Sequence, residues 1–268
     1  MARILLNTFL SLFIFLYGAV IVVHHSVVHI RLLHGAVLHV MPGYRSDGRN
    51  GAVIICPGGG YSYLEKWHEG YKWFPYLYLL GYTPAMLEYR MPHSDSRIPM
   101  TDGAEAVRMM RRHAEEWRLD THNVGMMGFS AGGHLASTMM VTDDDSARPD
   151  FGILLYPLIS MKKELTHIDS HDQLLGKNAS VQLERQFSNE LHVSEHTPPV
   201  FIAATSDDEA VNPLNSILFH NAMRIKNRPV ELHIYSSGGH GWVVHLTSEY
   251  CIPALMDLAD WLNNRDNQ

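Results

Sequence analysis

Residues 128–134 read GFSAGGH. One serine, Ser130, stands among three glycines between an apolar run, NVGMMGF (123–129), and a helix-like stretch, HLASTMMV (134–141). Glycine weakens a helix start, so the turn itself must need residues without side chains. G-x-S-x-G between a strand and a helix is a sharp turn that holds its serine in a strained backbone conformation. Side chains at 128 and 132 would collide there, and both positions are glycine. The helix that follows aims its positive end at Ser130. The serine then stands above the carboxyl ends of the strands, where open sheets place their ligands. The five-residue pattern alone is short enough to arise by chance, and its strand–turn–helix setting gives it weight.

The rest of the chain alternates in the same way. GAVIIC (51–56) is a continuous apolar run, as expected of a strand covered on both faces, and it stops at Pro57 and three glycines. A helix is expected over 71–80, beginning near Pro75, and a strand over TPAMLEYR (83–90). From Thr101 to Trp117 apolar residues recur at helical spacing, with Thr101 as a candidate N-cap and Asp102 at the positive end of the dipole. FGILLYPLI (151–159), PVFIAAT (199–205) and PVELHIY (229–235) read as further strands, with helices near 213–227 and 249–263. This alternation predicts an α/β fold: a mostly parallel central sheet with helices on both faces. The polar stretch 160–198 is too long for an ordinary connection and reads as a short insertion over the sheet edge.

Composition narrows the class. The 268 residues are 46% apolar and 18% charged, enough for a sizeable core. The formal charge of −7 and the lack of a basic stripe argue against nucleic acid as a partner. Two cysteines, Cys56 and Cys251, make no disulfide framework. The 18 histidines show no metal-binding spacing, so no metal is expected. Residues 4–23, ILLNTFLSLFIFLYGAVIVV, carry no charge and would just span a bilayer core. A cleaved signal, an uncleaved anchor and a buried segment compete for this stretch. Export, with possible membrane association through 4–23, is the favoured expectation. The domain reading is a hydrophobic leader over 1–30 and a catalytic domain over 46–268.

A serine nucleophile needs a base, and the base needs a carboxylate to hold its tautomer. In this fold they follow in the order serine, acid, histidine. TSDDEAV (205–211) follows one predicted strand and SSGGHGW (236–242) follows the next. His240 is therefore the candidate base, and either Asp207 or Asp208 the acid, the other capping the loop or the next helix. The backbone N–H of Ala131 and those of the glycine loop PGGGY (57–61) are the candidate donors to an oxyanion. Tyr61, Tyr63, Trp67 and Trp242 flank this region and read either as sugar-stacking rings or as core.

These stretches, with HEG (68–70), EYRMP (88–92), LLG (174–176), SNE (188–190), TPP (197–199) and VNPLNS (211–216), carry a resemblance. Over about residues 47–265 the chain resembles the α/β-hydrolase superfamily. Within it, the chain is similar to small bacterial esterases of the hormone-sensitive-lipase branch, the acetyl-xylan or carbohydrate-esterase-like proteins. The resemblance implies Ser130 as nucleophile, His240 as base, and Gly59, Gly60 and Ala131 as oxyanion donors. It favours Asp208 over Asp207, because the family's acid sits three residues before the valine that is here Val211. It implies hydrolysis of short-chain, acetyl-type esters of a small molecule or oligosaccharide without a cofactor. Pro57 departs from the commoner H-G-G-G form, and the first 45 residues match the family poorly. Two rival classes share part of the pattern. A prolyl-type serine peptidase would carry a large gating domain for which 268 residues leave no room. A non-catalytic binding protein of this fold usually lacks a triad residue or an oxyanion glycine, and all are present.

Overall fold

The computed structural model describes residues 27–43 and 50–265. The stretch 4–23, and with it the leader reading, lies outside the described residues. Eight strands form one sheet: β1 (Val28–Arg31), β2 (Val37–Val40), β3 (Asn50–Cys56), β4 (Tyr82–Glu88), β5 (Leu119–Phe129), β6 (Phe151–Leu155), β7 (Val200–Thr205) and β8 (Val230–Tyr235). Their spatial order is β1-β2-β4-β3-β5-β6-β7-β8. β1, β2 and β4 pair antiparallel, and every pair from β4 to β8 is parallel.

The helices are α1 (Phe74–Leu79), α2 (Arg97–Arg112), α3 (Ala114–Trp117), α4 (Ser130–Met140), α5 (Ile168–Leu175), α6 (Val181–Gln186), α7 (Leu214–Ile225) and α8 (Cys251–Asn264). They cover both faces, which is why β3, β6 and β7 are buried along their whole length and read as unbroken apolar runs. The period of two survives inside these runs. Ile54 and Ile202 pack with α2, α4 and α7, through Val107, Leu135 and Phe219. Val53, Ile55 and Phe201 pack on the opposite face with Phe74 of α1 and Trp261 of α8.

Three details differ from the sequence reading. The sheet takes in residues upstream of 46, and β1 overlaps the 1–30 range at its last three positions. Both strands have only four residues, and β1 is mostly exposed, so they lack the long apolar signature of a buried strand. The helix expected from Thr101 begins a turn earlier, at Arg97 with Ser96 at the N-cap. Pro99 belongs to its first turn, where a missing N–H breaks no helical bond. Asp102 therefore does not serve the dipole. It is buried, accepts the Arg90 backbone N–H at 2.9 Å and a guanidinium N–H at 2.7 Å, and pins the chain leaving β4. Finally, the stretch 160–198 joins β6 to β7, two interior strands, so it arches over their carboxyl ends and not past a lateral edge. It contains α5, α6 and a 3-10 turn, Asn189–Leu191.

His134 ties this connection to the sheet. Its fully buried ring donates from Nε2 to the Phe187 carbonyl (2.7 Å), and Nδ1 accepts from the Tyr61 hydroxyl (2.9 Å). Burial pushes its pKa down to about 4 from an ordinary 6.5, outweighing the bond to Phe187. Between those values the unfolded chain takes up a proton that the folded chain refuses, so stability rises with pH through the window and is complete above it. Urea unfolding between pH 6.5 and 4 should show a loss of about 3 kcal/mol from this group. The variant His134→Gln, which can keep both hydrogen bonds but cannot titrate, should show a correspondingly shallower pH dependence.

Candidate active site

The turn at Ser130 is built by contact. Phe129 ends β5 in an extended conformation, Ser130 takes φ +50° and α4 starts at once. A Cβ on Gly132 would stand 2.0 Å from the Cys56 carbonyl oxygen, and one on Gly128 would stand 2.3 Å from that of Gly132. Neither position has room for a side chain.

The Ser130 hydroxyl donates to His240 Nε2 at 3.0 Å, and His240 Nδ1–H donates to Asp208 Oδ2 at 2.7 Å. Asp208 is buried, and its other oxygen accepts the N–H groups of Ala210 and Val211, both at 2.9 Å. Asp207 points elsewhere. It accepts the N–H groups of Gly238 and Gly239, at 3.0 and 2.9 Å, and those bonds hold its carboxyl below the usual range. Of the two aspartates, Asp208 faces the imidazole and Asp207 moors the loop that carries it.

The glycine loop is held peptide by peptide. All its peptides are trans, so each C=O points away from the N–H it shares a plane with. The Pro57 carbonyl accepts from the Tyr89 hydroxyl (2.7 Å), and the Gly58 N–H in the same plane donates to Glu69 Oε2 (2.7 Å). The Gly58 carbonyl accepts from Glu65 N–H (3.1 Å), which turns the Gly59 N–H the other way. The Gly59 carbonyl accepts from Ser62 and Tyr63 N–H (3.0 and 3.2 Å), which does the same for Gly60. Gly59 and Gly60 adopt φ +122° and +64°, and both line the cleft beside Ser130. Ala131, in the first turn of α4, has an N–H that the helix cannot use.

The cleft has a volume of about 490 Å³, and His68, Glu65, Glu69, His167, Asp169 and His245 share its walls with Ala210, Val211 and Val244. His167 and Asp169 come from the start of α5 in the long connection. The four flanking aromatics divide. Tyr61 and Trp242 are buried core, whereas Tyr63 and Trp67 are 61% and 63% exposed. Among the described residues no group of three His, Cys, Asp or Glu side chains is arranged to hold a metal ion.

Sequence reasoning gave no role to Glu69, Tyr156, His167 or Asp169. Glu69 stands in the HEG stretch, where a carboxylate beside a glycine turn reads as a surface charge. Tyr156 sits inside an apolar run. His167 and Asp169 lie in a stretch without periodic pattern.

The comparisons with known proteins bear on this geometry. The family model BD-FAE matches residues 41–153. Over 217 residues the chain is 38% identical to an acetylxylan esterase of Xylanibacter ruminicola, covering 80% of this chain and 45% of that protein. It is 34% identical over 216 residues to endo-1,4-beta-xylanase B of Butyrivibrio fibrisolvens, covering 75% of this chain and 34% of that one. The chain thus spans less than half the length of these two curated relatives. The crystal structure of an acetyl ester-xyloside bifunctional hydrolase from Caldicellulosiruptor lactoaceticus superposes with a TM-score of 0.80 at 32% identity, covering 87% of this chain and 89% of that one. With a relative of that identity matched over nearly its full length, the chain belongs to the α/β-hydrolase superfamily, in the hormone-sensitive-lipase-like, acetylxylan-esterase-related group that carries the BD-FAE domain.

Proposed function

We propose that the chain is a serine esterase that removes short, acetyl-type acyl groups from carbohydrate such as acetylated xylan. The observation that carries the reading is the unbroken hydrogen-bond chain from Ser130 through His240 to Asp208, facing the Gly59 and Gly60 backbone. His240 Nε2 takes the hydroxyl proton as Ser130 Oγ attacks the ester carbonyl. The N–H groups of Gly59, Gly60 and Ala131 receive the charge that forms on the carbonyl oxygen. The C–O bond to the alcohol breaks, and His240 returns the proton to the leaving oxygen. Water, deprotonated by His240, then attacks the acyl-enzyme, releasing the acid and restoring Ser130. Asp208 holds Nδ1–H throughout and stabilises the transient imidazolium.

A carbohydrate alcohol suits the cleft better than a fatty chain. Its walls present imidazoles and carboxylates, the exposed ring of Tyr63 lines it, and Trp67, in sequence between the lining residues Glu65 and His68, is exposed as well. The names of the curated relatives, an acetylxylan esterase and a xylanase, support the same substrate class. The uncharged stretch 4–23 supports an exported enzyme. Among the described residues no helix is long and apolar enough to cross a membrane.

Hydrolysis of 4-nitrophenyl acetate, butyrate and octanoate by the full chain should fall with acyl length. Ser130→Ala should lower kcat/KM for the acetate by at least about 10³-fold at an unchanged melting temperature. A folded wild type no faster than Ser130→Ala would defeat the reading. Asp208→Asn should lower kcat by roughly 10³- to 10⁴-fold, whereas Asp207→Asn, which disturbs only the loop, should cost less than about tenfold. For the sugar side, Trp67→Ala and Tyr63→Ala should each raise KM for acetylated xylo-oligosaccharides about fivefold, a stacking loss of about 1 kcal/mol, and leave 4-nitrophenyl acetate turnover unchanged.

A further inference from the structure

Glu69 is a carboxylate that the acyl-transfer scheme does not use. It is only 8% exposed, yet it lines the cleft. Oε2 accepts the Gly58 N–H at 2.7 Å, and Oε1 accepts the Tyr156 hydroxyl at 2.9 Å. Gly58 is wedged between this carboxylate and the nucleophile. A Cβ there would stand 2.7 Å from Glu69 Oε2 and 2.9 Å from Ser130 Cβ. The Tyr156 ring in turn packs edge-on against the His240 imidazole, with centroids 4.8 Å apart. One side chain thus touches the loop that carries the oxyanion donors and, through one ring, the base.

We propose that Glu69 is a positioning residue that holds the Gly59–Gly60 donors and the His240 ring in register with Ser130. This rests on the serine-esterase reading and adds a requirement to it. Stripping a carboxylate of water costs several kcal/mol, so a spacer alone would favour a neutral side chain. A carboxylate accepts at both oxygens, and bonds to an ionised acceptor are roughly twice as strong as neutral ones. Burial raises the Glu69 pKa, while the Tyr156 hydroxyl, the Gly58 N–H and nearby His240 favour the charged form. With Gly58 N–H released, the Pro57–Gly58 peptide plane, which leads into the plane that carries the Gly59 N–H, loses one of its two anchors. Oxyanion donors act only when aimed at the transition state. The effect should therefore fall on the chemical step and not on substrate binding.

The test compares wild type, Glu69→Gln, Tyr156→Phe and Ser130→Ala as full chains, with 4-nitrophenyl acetate as substrate and phenylboronic acid as a tetrahedral-adduct probe. Glutamine keeps the volume and can satisfy only one of the two donors as an acceptor. Glu69→Gln should lower kcat about 10- to 100-fold with KM within twofold, and should weaken phenylboronic acid by a similar factor. A kcat within twofold of wild type overturns the proposal, as does a fall in kcat with unchanged boronic acid affinity. If Glu69→Gln melts before assay, Tyr156→Phe decides: it frees Oε1 and should lower kcat about 3- to 10-fold, and an unchanged kcat overturns the role. Activity in Ser130→Ala equal to that of wild type would instead sink the serine mechanism itself. Loss there, together with a normal Glu69→Gln, sinks the positioning role alone.

Discussion

The structure depends on how closely the first turn of α4 approaches the carboxyl end of β3. A side chain at 132 would stand 2.0 Å from the Cys56 carbonyl oxygen and 2.4 Å from that of Pro57. Backbone therefore meets backbone there, and two segments some seventy residues apart in sequence become neighbours. Ser130 is held at φ +50°, a conformation that costs of order 1–3 kcal/mol in a residue with a side chain. The surrounding core sustains it: Phe129, Ala131, Leu135 and Ala136 are all fully buried. Widening the contact would relax the serine and also move the Ala131 N–H away from those of Gly59 and Gly60.

Asp208 and His240 are placed by the sheet. Ser130, Asp208 and His240 follow β5, β7 and β8, and β8 lies three strands from β5. Three strand spacings are roughly 14 Å, too far for a side chain to bridge unaided. The loop after β8 must lean back across β7, and the loop after β7 holds it there. Asp207 accepts the Gly238 and Gly239 N–H groups, the Thr205 hydroxyl donates to the Gly239 carbonyl, and the Ser206 hydroxyl donates to that of Ser236. Adjacent aspartates thus divide the labour: Asp208 orients the ring and Asp207 orients the loop that bears it.

Much of this was legible in the sequence, because parallel strands covered on both faces write themselves as apolar runs. GAVIIC, FGILL and VFIAAT each coincide with a strand, and the loops after them hold the polar groups. Reading failed where local pattern and tertiary context diverge. β1 and β2 are too short to show a period. Thr101 looked like a helix cap because capping residues are common, but Pro99 is compatible with a helix that starts a turn earlier. Residue types alone left Asp207 and Asp208 open, since adjacent side chains with the same chemistry differ only in where the backbone aims them. Glu69 was out of reach because its partners, Gly58 and Tyr156, are 11 and 87 residues away.

The same topology separates a clamped inner layer around Ser130 from the outer wall of the cleft. The groups around Ser130 are clamped by buried backbone and by side chains of the core: Asp208 by two amides, the glycine loop by Tyr89, Glu69 and three N–H groups. The connection from β6 to β7 leaves a strand that neighbours β5, and its α5 end reaches the cleft. It brings His167 and Asp169 into the wall, and a Cβ on Gly60 would lie only 3.6 Å from the Ser170 hydroxyl oxygen. The ring of Tyr63 lines the same cleft and is exposed. His167, Asp169, Tyr63 and Trp67 lie outside the core clusters, so substitutions there cost the fold little. Substitutions in the clamped inner layer disturb the geometry around Ser130.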